Sequence, residues 1–204
     1  MTHLRKIKTT PVRRTKTLRR IRIIGGRYRR TQIPVPDSAQ LRPTPDRVRE
    51  TLFNWLAHLQ PDLDAVRGLD LFAGTGALGL ELASRGAREV VLVERDCALV
   101  ERLIGLRERL GAREVEVIRA DAMALAERLP AASFDLIFID PPFHGSLLRP
   151  ALALARRLLA PGGWLYAEAG TALQAPELAS LGLHLVRAGR AGRVHFYLLA
   201  SQQS

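Results

Sequence analysis

The stretch "GLDLFAGTGALGLE", residues 68–81, decides the fold. It opens on a short apolar run around Asp70, passes Gly74, Gly76 and Gly79 in the G-x-G-x-x-G spacing, and continues into Ala, Leu and Glu. A buried strand, a glycine turn and a helix-forming run in that order make the first half of a β-α-β unit. Glycines in the turn let the backbone bend tightly and approach a bound nucleotide. Alone, the loop is compatible with NAD, FAD or S-adenosylmethionine.

Downstream, "EVVLVE" (89–94), "VEVIRAD" (115–121), "FDLIFID" (134–140) and "GGWLYAEA" (162–169) read as further strands beside a first strand at 68–72. Helical patterns fall between them, around 77–85, 98–110, 122–129, 147–159 and 172–181. Two strand-like pieces flank 189–192 and predict a closing antiparallel hairpin. The alternation predicts an α/β fold: a doubly wound, mostly parallel seven-stranded Rossmann-like sheet covered on both faces.

Upstream, "RPTPDRVRETLFNWLAHL" starts a helix, with Thr44 as N-cap, Pro45 at the first helical position and Asp46 in the first turn. Val48, Leu52, Trp55 and Leu59 recur at helical spacing and predict its buried stripe. Before it, "LRRIRIIGGRYRRTQIPVP" reads as strands 20–24 and 27–33 joined at Gly25-Gly26, a dipeptide suited to a tight hairpin. The organisation is then a basic, flexible arm at 1–19, an RNA-contacting β-hairpin extension at 20–40 and a main domain at 41–204.

Charge is concentrated at one end. The net charge is +11, from 31 Lys and Arg against 20 Asp and Glu. Twelve of the basic residues precede Asp37, the first acid, so the remainder carries 19 basic and 20 acidic side chains, a net of −1. Such an arm suits a polyanion, since each neutralised phosphate releases counterions; a plain solubilising tail is the competing reading. On the hairpin, basic residues alternate with Ile and Tyr, so Arg22, Arg27, Arg29 and Arg30 can form a cationic face for RNA. No apolar run nears the roughly 18 residues of a membrane span, and the first residues lack the apolar core of a secretory signal. The expectation is a cytoplasmic monomer without membrane contact. The single cysteine, Cys97, reads as a small helix residue rather than a nucleophile, and no Cys or His cluster has metal-ligand spacing.

In open α/β sheets ligands bind beyond the carboxyl ends of the strands, so the residues finishing each strand carry the chemistry. Asp70 places a carboxylate where a dinucleotide's pyrophosphate would sit, which repels phosphate and suits the cationic end of S-adenosylmethionine. Glu94, twenty residues past Gly74, can take both hydroxyls of a ribose. Asp121 can accept from the exocyclic amine of an adenine.

The fourth strand ends in Asp140, Pro141, Pro142 and Phe143. Methyl transfer to an aromatic amine is difficult because the nitrogen lone pair is delocalised into the ring. Two acceptors, the Asp140 carboxylate and the Pro141 carbonyl, can orient the amine hydrogens so that the lone pair faces the methyl in line. The prolines fix φ and remove two competing donors. Phe143 offers a flat face to an extruded base. His144, next in the chain, is weighed as a proton acceptor against a plain solvent-facing position.

"LDLFAGTGALGLE" with "VERD" and "DPPF" resembles the class I S-adenosylmethionine-dependent methyltransferases of exocyclic amines. More narrowly, "RIIGGRYR", "LRPTPDRVRETLFNWL" and "LDLFAGTGALGLELASRGA" together resemble the bacterial 16S rRNA (guanine-N2)-methyltransferase family, from about residue 22 to the C-terminus. The resemblance implies cofactor roles for Asp70, Phe72, Gly74, Gly76, Glu94 and Asp121 and target-amine roles for residues 140–143. It also implies that Arg42 and Thr44 wall the cofactor, with 16S rRNA or the small ribosomal subunit as partner. Three alternatives remain open: an adenine-N6 methyltransferase of DNA or RNA, a nicotinamide oxidoreductase, and a ribosome-binding protein without catalysis. Asp70 and the lack of a substrate domain count against the oxidoreductase, and the third reading leaves residues 140–143 unexplained.

Overall fold

Two short strands, β1 (Arg20–Arg22) and β2 (Gln32–Pro34), pair antiparallel with Ile21 opposite Ile33, ahead of helix α1 (Asp46–Leu59). The chain then alternates through β3 (Arg67–Asp70), α2 (Ala77–Ser84), β4 (Glu89–Glu94), α3 (Cys97–Leu110), β5 (Val115–Arg119) and α4 (Ala122–Arg128). It continues through β6 (Phe134–Ile139), α5 (Leu148–Leu158), β7 (Leu159–Ala169), α6 (Ala175–Ser180), β8 (Leu183–Ala191) and β9 (Val194–Ser201). This is a computed structural model describing residues 20–36, 43–60, 62–142 and 146–202. The 1–19 arm, Arg42, Phe143 and His144 lie outside the described residues.

Strands β3 to β9 form one seven-stranded sheet in the order β5-β4-β3-β6-β7-β9-β8. Its first five strands pair parallel, and β9 runs antiparallel between β7 and β8. From β3 the chain winds outward to β5, then crosses back to β6 on the other side of β3. The reversal between β3 and β6 opens a crevice at their carboxyl ends. The mostly parallel, doubly wound α/β sheet expected from the alternation is the one observed.

Side chains alternate across the sheet. Val90, Leu92, Leu136, Phe138 and Tyr166 face α1, α2 and α3, whereas Leu69, Val91, Val93, Ile137, Ile139 and Leu165 face α4, α5 and α6. A row of rings crosses the first face: Phe53 of α1 lies 6.3 Å from Phe138, Phe138 lies 6.1 Å from Tyr166, and Tyr166 lies 6.5 Å from Phe196. Each buried ring contributes roughly 1.5–3 kcal/mol, so the ends of β6 and β7 rest on a stiff floor. Among the described residues, no helix is long and apolar enough to cross a membrane.

The N-terminal region departs from the tight hairpin. The ladder ends at the Arg22–Gln32 pair, Ile23 still exchanges backbone hydrogen bonds with Thr31 and Arg30, and residues 24–28 dock on α2. Their backbone donors find better partners there. The Ile24 and Gly25 N–H groups donate to the Glu81 carboxylate at 2.6 and 2.8 Å, and the Arg27 and Tyr28 N–H groups donate to Ser84 at 2.7 and 2.9 Å. Gly26 sits at φ +73° against the Ser84 carbonyl, where a Cβ would collide with it.

Thr44 is not the N-cap of α1. Pro45 holds that position without a side-chain cap, and the Thr44 hydroxyl, one residue earlier, donates to Glu168. Two strands are shorter than expected: β3 ends at Asp70 and β5 at Arg119, which leaves Asp121 to cap α4. Helix α6 starts only at Ala175, with Pro176 in its first turn. Cys97 opens α3 and is exposed.

Candidate active site

Four carboxylates stand at the carboxyl ends of neighbouring strands and project to one face. Asp70 ends β3, Glu94 ends β4, Asp140 follows β6, and Glu168 lies one residue from the end of β7. Their common face follows from the two-residue period. Asp140 and Glu168 lie two residues past Phe138 and Tyr166, Glu94 lies two past Leu92, and Asp70 alternates with Leu69 and Leu71. In the parallel β6–β7 pair Ile139 is level with Ala167, so Asp140 and Glu168 come next as lateral neighbours.

Each acid is held differently. Asp70, 1% exposed, accepts from the Gly79 N–H at 3.1 Å and from the Phe72 N–H. Burial, with the charges of Glu94 and Glu168 adding to it, pushes its carboxyl up to about 7 against those two hydrogen bonds. Glu94 clamps the glycine turn: one oxygen accepts from the Gly74 N–H at 2.9 Å, the other from the Arg95 and Asp96 N–H groups at 2.8 Å each. Glu168, 3% exposed, takes two hydroxyls on Oε1, Thr44 at 2.7 Å and Tyr166 at 2.8 Å. Its carboxyl is raised by burial in spite of them. Asp140 keeps some surface as a residue, yet burial of its carboxyl, then the charges of Glu168 and Asp70, raise it well above the ordinary carboxylate range.

The turn between β3 and α2 is built for close approach. Gly74 and Gly76 have φ of 53° and 78°, and a Cβ on Gly76 would run into Leu103 of α3 and Leu80. Phe72 is half-buried between this turn and the opposite face. Asp121 is exposed, and its Oδ1 accepts from the Met123 and Ala124 N–H groups at 3.0 Å. Pro141 is buried and Pro142 exposed.

The structure thus brings Asp70, Gly74, Gly76, Glu94, Asp140, Pro141 and Thr44 to one end of the sheet, with Asp121 at its β5 side. Among the described residues, no group of three His, Cys, Asp or Glu could hold a metal ion. The strand-end acids suit a ligand that brings hydroxyl and amine donors. With no Lys or Arg among them in the described residues, they repel a pyrophosphate and attract a cation.

The hairpin arginines divide. Arg22 pairs with Asp46 at 3.0 Å, and Arg27 pairs with Glu114 and lies over the Tyr28 ring. Arg29 and Arg30 are exposed, and no acid among the described residues pairs with either. Arg20 and Arg109 line, with Thr31, Gln32 and Pro34, a shallow concavity of about 390 Å³ at the foot of the hairpin, away from the strand-end acids.

Sequence reasoning missed three residues. Glu168 and Tyr166 sit in "LYAEAG", where an acid ending a strand carried the same signal as Asp70 and Glu94. Arg49 interrupts the apolar run of α1 at a core position and is fully buried, with Nη1 3.3 Å from Glu81 and Nη2 2.7 Å from Asp46.

A family model described as conserved hypothetical protein 95 matches residues 21–200. The chain belongs to this family. Ribosomal RNA small subunit methyltransferase D of Escherichia coli (strain K12) is 47% identical over 150 residues, covering 73% of this chain and 71% of that protein. The protein of the same name from Haemophilus influenzae is 39% identical over 153 residues, 72% of this chain and 78% of its own length. The solved structure of yhhF from Escherichia coli superposes with a TM-score of 0.76 at 38% identity, covering 91% of this chain and 99% of that one. For this conserved hypothetical protein 95 member, the acid-lined strand ends lie inside the matched region.

Proposed function

We propose that this protein is an S-adenosylmethionine-dependent methyltransferase of small-subunit rRNA, and that its target is the exocyclic N2 of a guanine. The observation that carries this reading is the end of β6. There Asp140 lies among Asp70 and Glu168 at the sheet reversal, on the face where the other strand-end acids converge, and in our reading its carboxylate and the following Pro141 carbonyl are the two acceptors. The names borne by the relatives support small-subunit rRNA as the substrate.

Bound S-adenosylmethionine supplies a methyl group on a positively charged sulfur. In our reading Asp70 fixes the β3–α2 turn and provides counter-charge to that sulfur. Glu94 accepts from the ribose, Gly74 and Gly76 give backbone clearance, and Phe72 and Thr44 form the walls. Asp121 accepts from the adenine amine through the oxygen its helix does not use. Asp140 and the Pro141 carbonyl hold the two hydrogens of the target amine, which turns the lone pair out of conjugation and towards the methyl. Pro142 stiffens the turn, and Phe143 stacks on the flipped base. The N–C bond forms as the S–C bond breaks, and the amine proton passes to solvent.

Arg29 and Arg30 are assigned to rRNA phosphates, joined by Arg20 and Arg109 at the concavity. Arg22 and Arg27 reach RNA only by exchanging Asp46 and Glu114 for phosphate. The competing reading, adenine-N6 transfer, uses the same two acceptors. The test is to incubate the protein and labelled S-adenosylmethionine with unmodified small subunits, naked rRNA and duplex DNA, then map the product. N2-methylguanosine in rRNA is expected; N6-methyladenine would overturn the guanine assignment, and label in DNA alone would overturn the rRNA assignment.

A further inference from the structure

Glu168 is a buried acid for which the amine-holding pair leaves no role. Its neighbour across the β6–β7 ladder is Asp140, and parallel strands lie about 4.8 Å apart. Thr44 and Tyr166 both donate to its Oε1 and fix the carboxylate plane, while among the described residues no donor reaches Oε2 or either oxygen of Asp140. The scaffold spends two buried hydroxyls and a floor of rings on aiming one oxygen. Glu168 is 3% exposed, and with Oε1 taken by the two hydroxyls its Oε2 is the oxygen left to accept from a ligand.

The ligand's chemistry follows from the row of acceptors. The Asp140 and Glu168 carboxylates, neighbours across the β6–β7 ladder, and the Pro141 carbonyl next in the chain to Asp140 make a set that can accept from a row of donors. Guanine presents a matching edge, with the two N2 hydrogens next to the N1 hydrogen. Adenine places the N1 lone pair beside its N6 amine, and cytosine places the N3 lone pair beside N4, so either base would turn an acceptor towards Glu168. We infer that Glu168 is the residue that selects guanine, accepting the N1–H of the flipped base while Asp140 and Pro141 hold its N2 amine. The inference rests on the methyltransferase reading above and names what distinguishes its substrate from other bases bearing an exocyclic amine.

The electrostatics of the pair accord with this. Burial raises both carboxyls, the Glu168 charge raises Asp140 further, and a base edge made of donors relieves that cost. Thr44 acquires a purpose too. Its hydroxyl, one residue before the N-cap of α1, is a donor that orients Glu168.

The experiment uses the full chain, unmodified rRNA, and the same rRNA carrying 2-aminopurine at the target nucleotide. 2-Aminopurine keeps the 2-amine but has a lone pair at N1. The wild type is expected to methylate guanine at least about 100-fold more efficiently than 2-aminopurine, since a buried site built for a donor rejects an analogue lacking it. In Glu168→Gln, and independently in Glu168→Ala, that ratio should fall to within about tenfold of unity, with the dissociation constant of S-adenosylmethionine changed less than about threefold. Because both RNAs meet the same preparation, the ratio is insensitive to partial misfolding. A ratio preserved in both variants, or a wild type that treats the two RNAs alike, overturns the inference and leaves the methyltransferase reading standing. Absence of any N2 methylation of guanine by the wild type overturns both.

Discussion

Two buried groups of charge lie on the same face of this sheet, and they are built in opposite ways. Around Glu81 every charge has its complement. The carboxylate accepts from the Ile24 and Gly25 N–H groups, from Arg85 at 2.9 Å and from Arg49, both Arg49 and Glu81 being 0% exposed. Around Asp70, Asp140 and Glu168 the described residues supply only acids and neutral donors. A saturated network has nothing left to offer a ligand and acts as a rivet between the N-terminal segment, α1 and α2. An unsaturated one stores electrostatic cost that a cationic, donor-rich ligand can relieve. The contrast separates scaffold from site without reference to any motif.

The contrast is most severely strained by Arg49→Ala. That change leaves Glu81 buried beside fewer partners and detaches the Arg22 carbonyl, which Arg49 Nη2 reaches at 2.8 Å. A loss of about 3–5 kcal/mol in urea-induced unfolding is expected. A loss below about 1 kcal/mol would mean that the paired cluster holds nothing together.

Asp70→Asn should move stability the other way. The folded carboxyl is pushed up to about 7 by burial, above the ordinary carboxylate value, so the folded state binds the extra proton between the two. Stability of the unliganded protein therefore falls as pH rises through that window, and the penalty is complete above pH 7. The amide keeps an acceptor for the Gly79 N–H and carries no charge. The variant should gain roughly 1–3 kcal/mol over the parent at pH 8, with the gain vanishing near pH 4, while binding S-adenosylmethionine more weakly. Unfolding midpoints across pH would show it; a variant less stable than the parent at pH 8 would contradict the stored cost.

How far each cluster could be read from the sequence differs for the same physical reason. Asp70, Glu94 and Asp140 announce themselves because each closes a recognisable apolar run, and the alternation of such runs with helical patterns gives the doubly wound sheet. The residues 23–31 were read as strand and tight turn, because Gly25-Gly26 between apolar and basic alternation looks like a hairpin. The Ile24, Gly25, Arg27 and Tyr28 donors go instead to Glu81 and Ser84, more than fifty residues away, and no local pattern encodes that. Arg49 was hidden because charge in a helix ordinarily marks the solvent face. Thr44 fits the local rule for a cap, but α1 begins at Asp46 with Pro45 as its N-cap, and the Thr44 hydroxyl donates to Glu168. Each miss involves a residue whose partner lies far away in the chain.

Asp140→Ala tests the central claim most directly, measured as turnover on rRNA, the dissociation constant of S-adenosylmethionine and the unfolding midpoint of one preparation. The account predicts a fall in turnover of at least about 100-fold, with cofactor affinity within about threefold and stability equal to the parent or above it. Undiminished turnover, or cofactor affinity lost in step with activity, would contradict it.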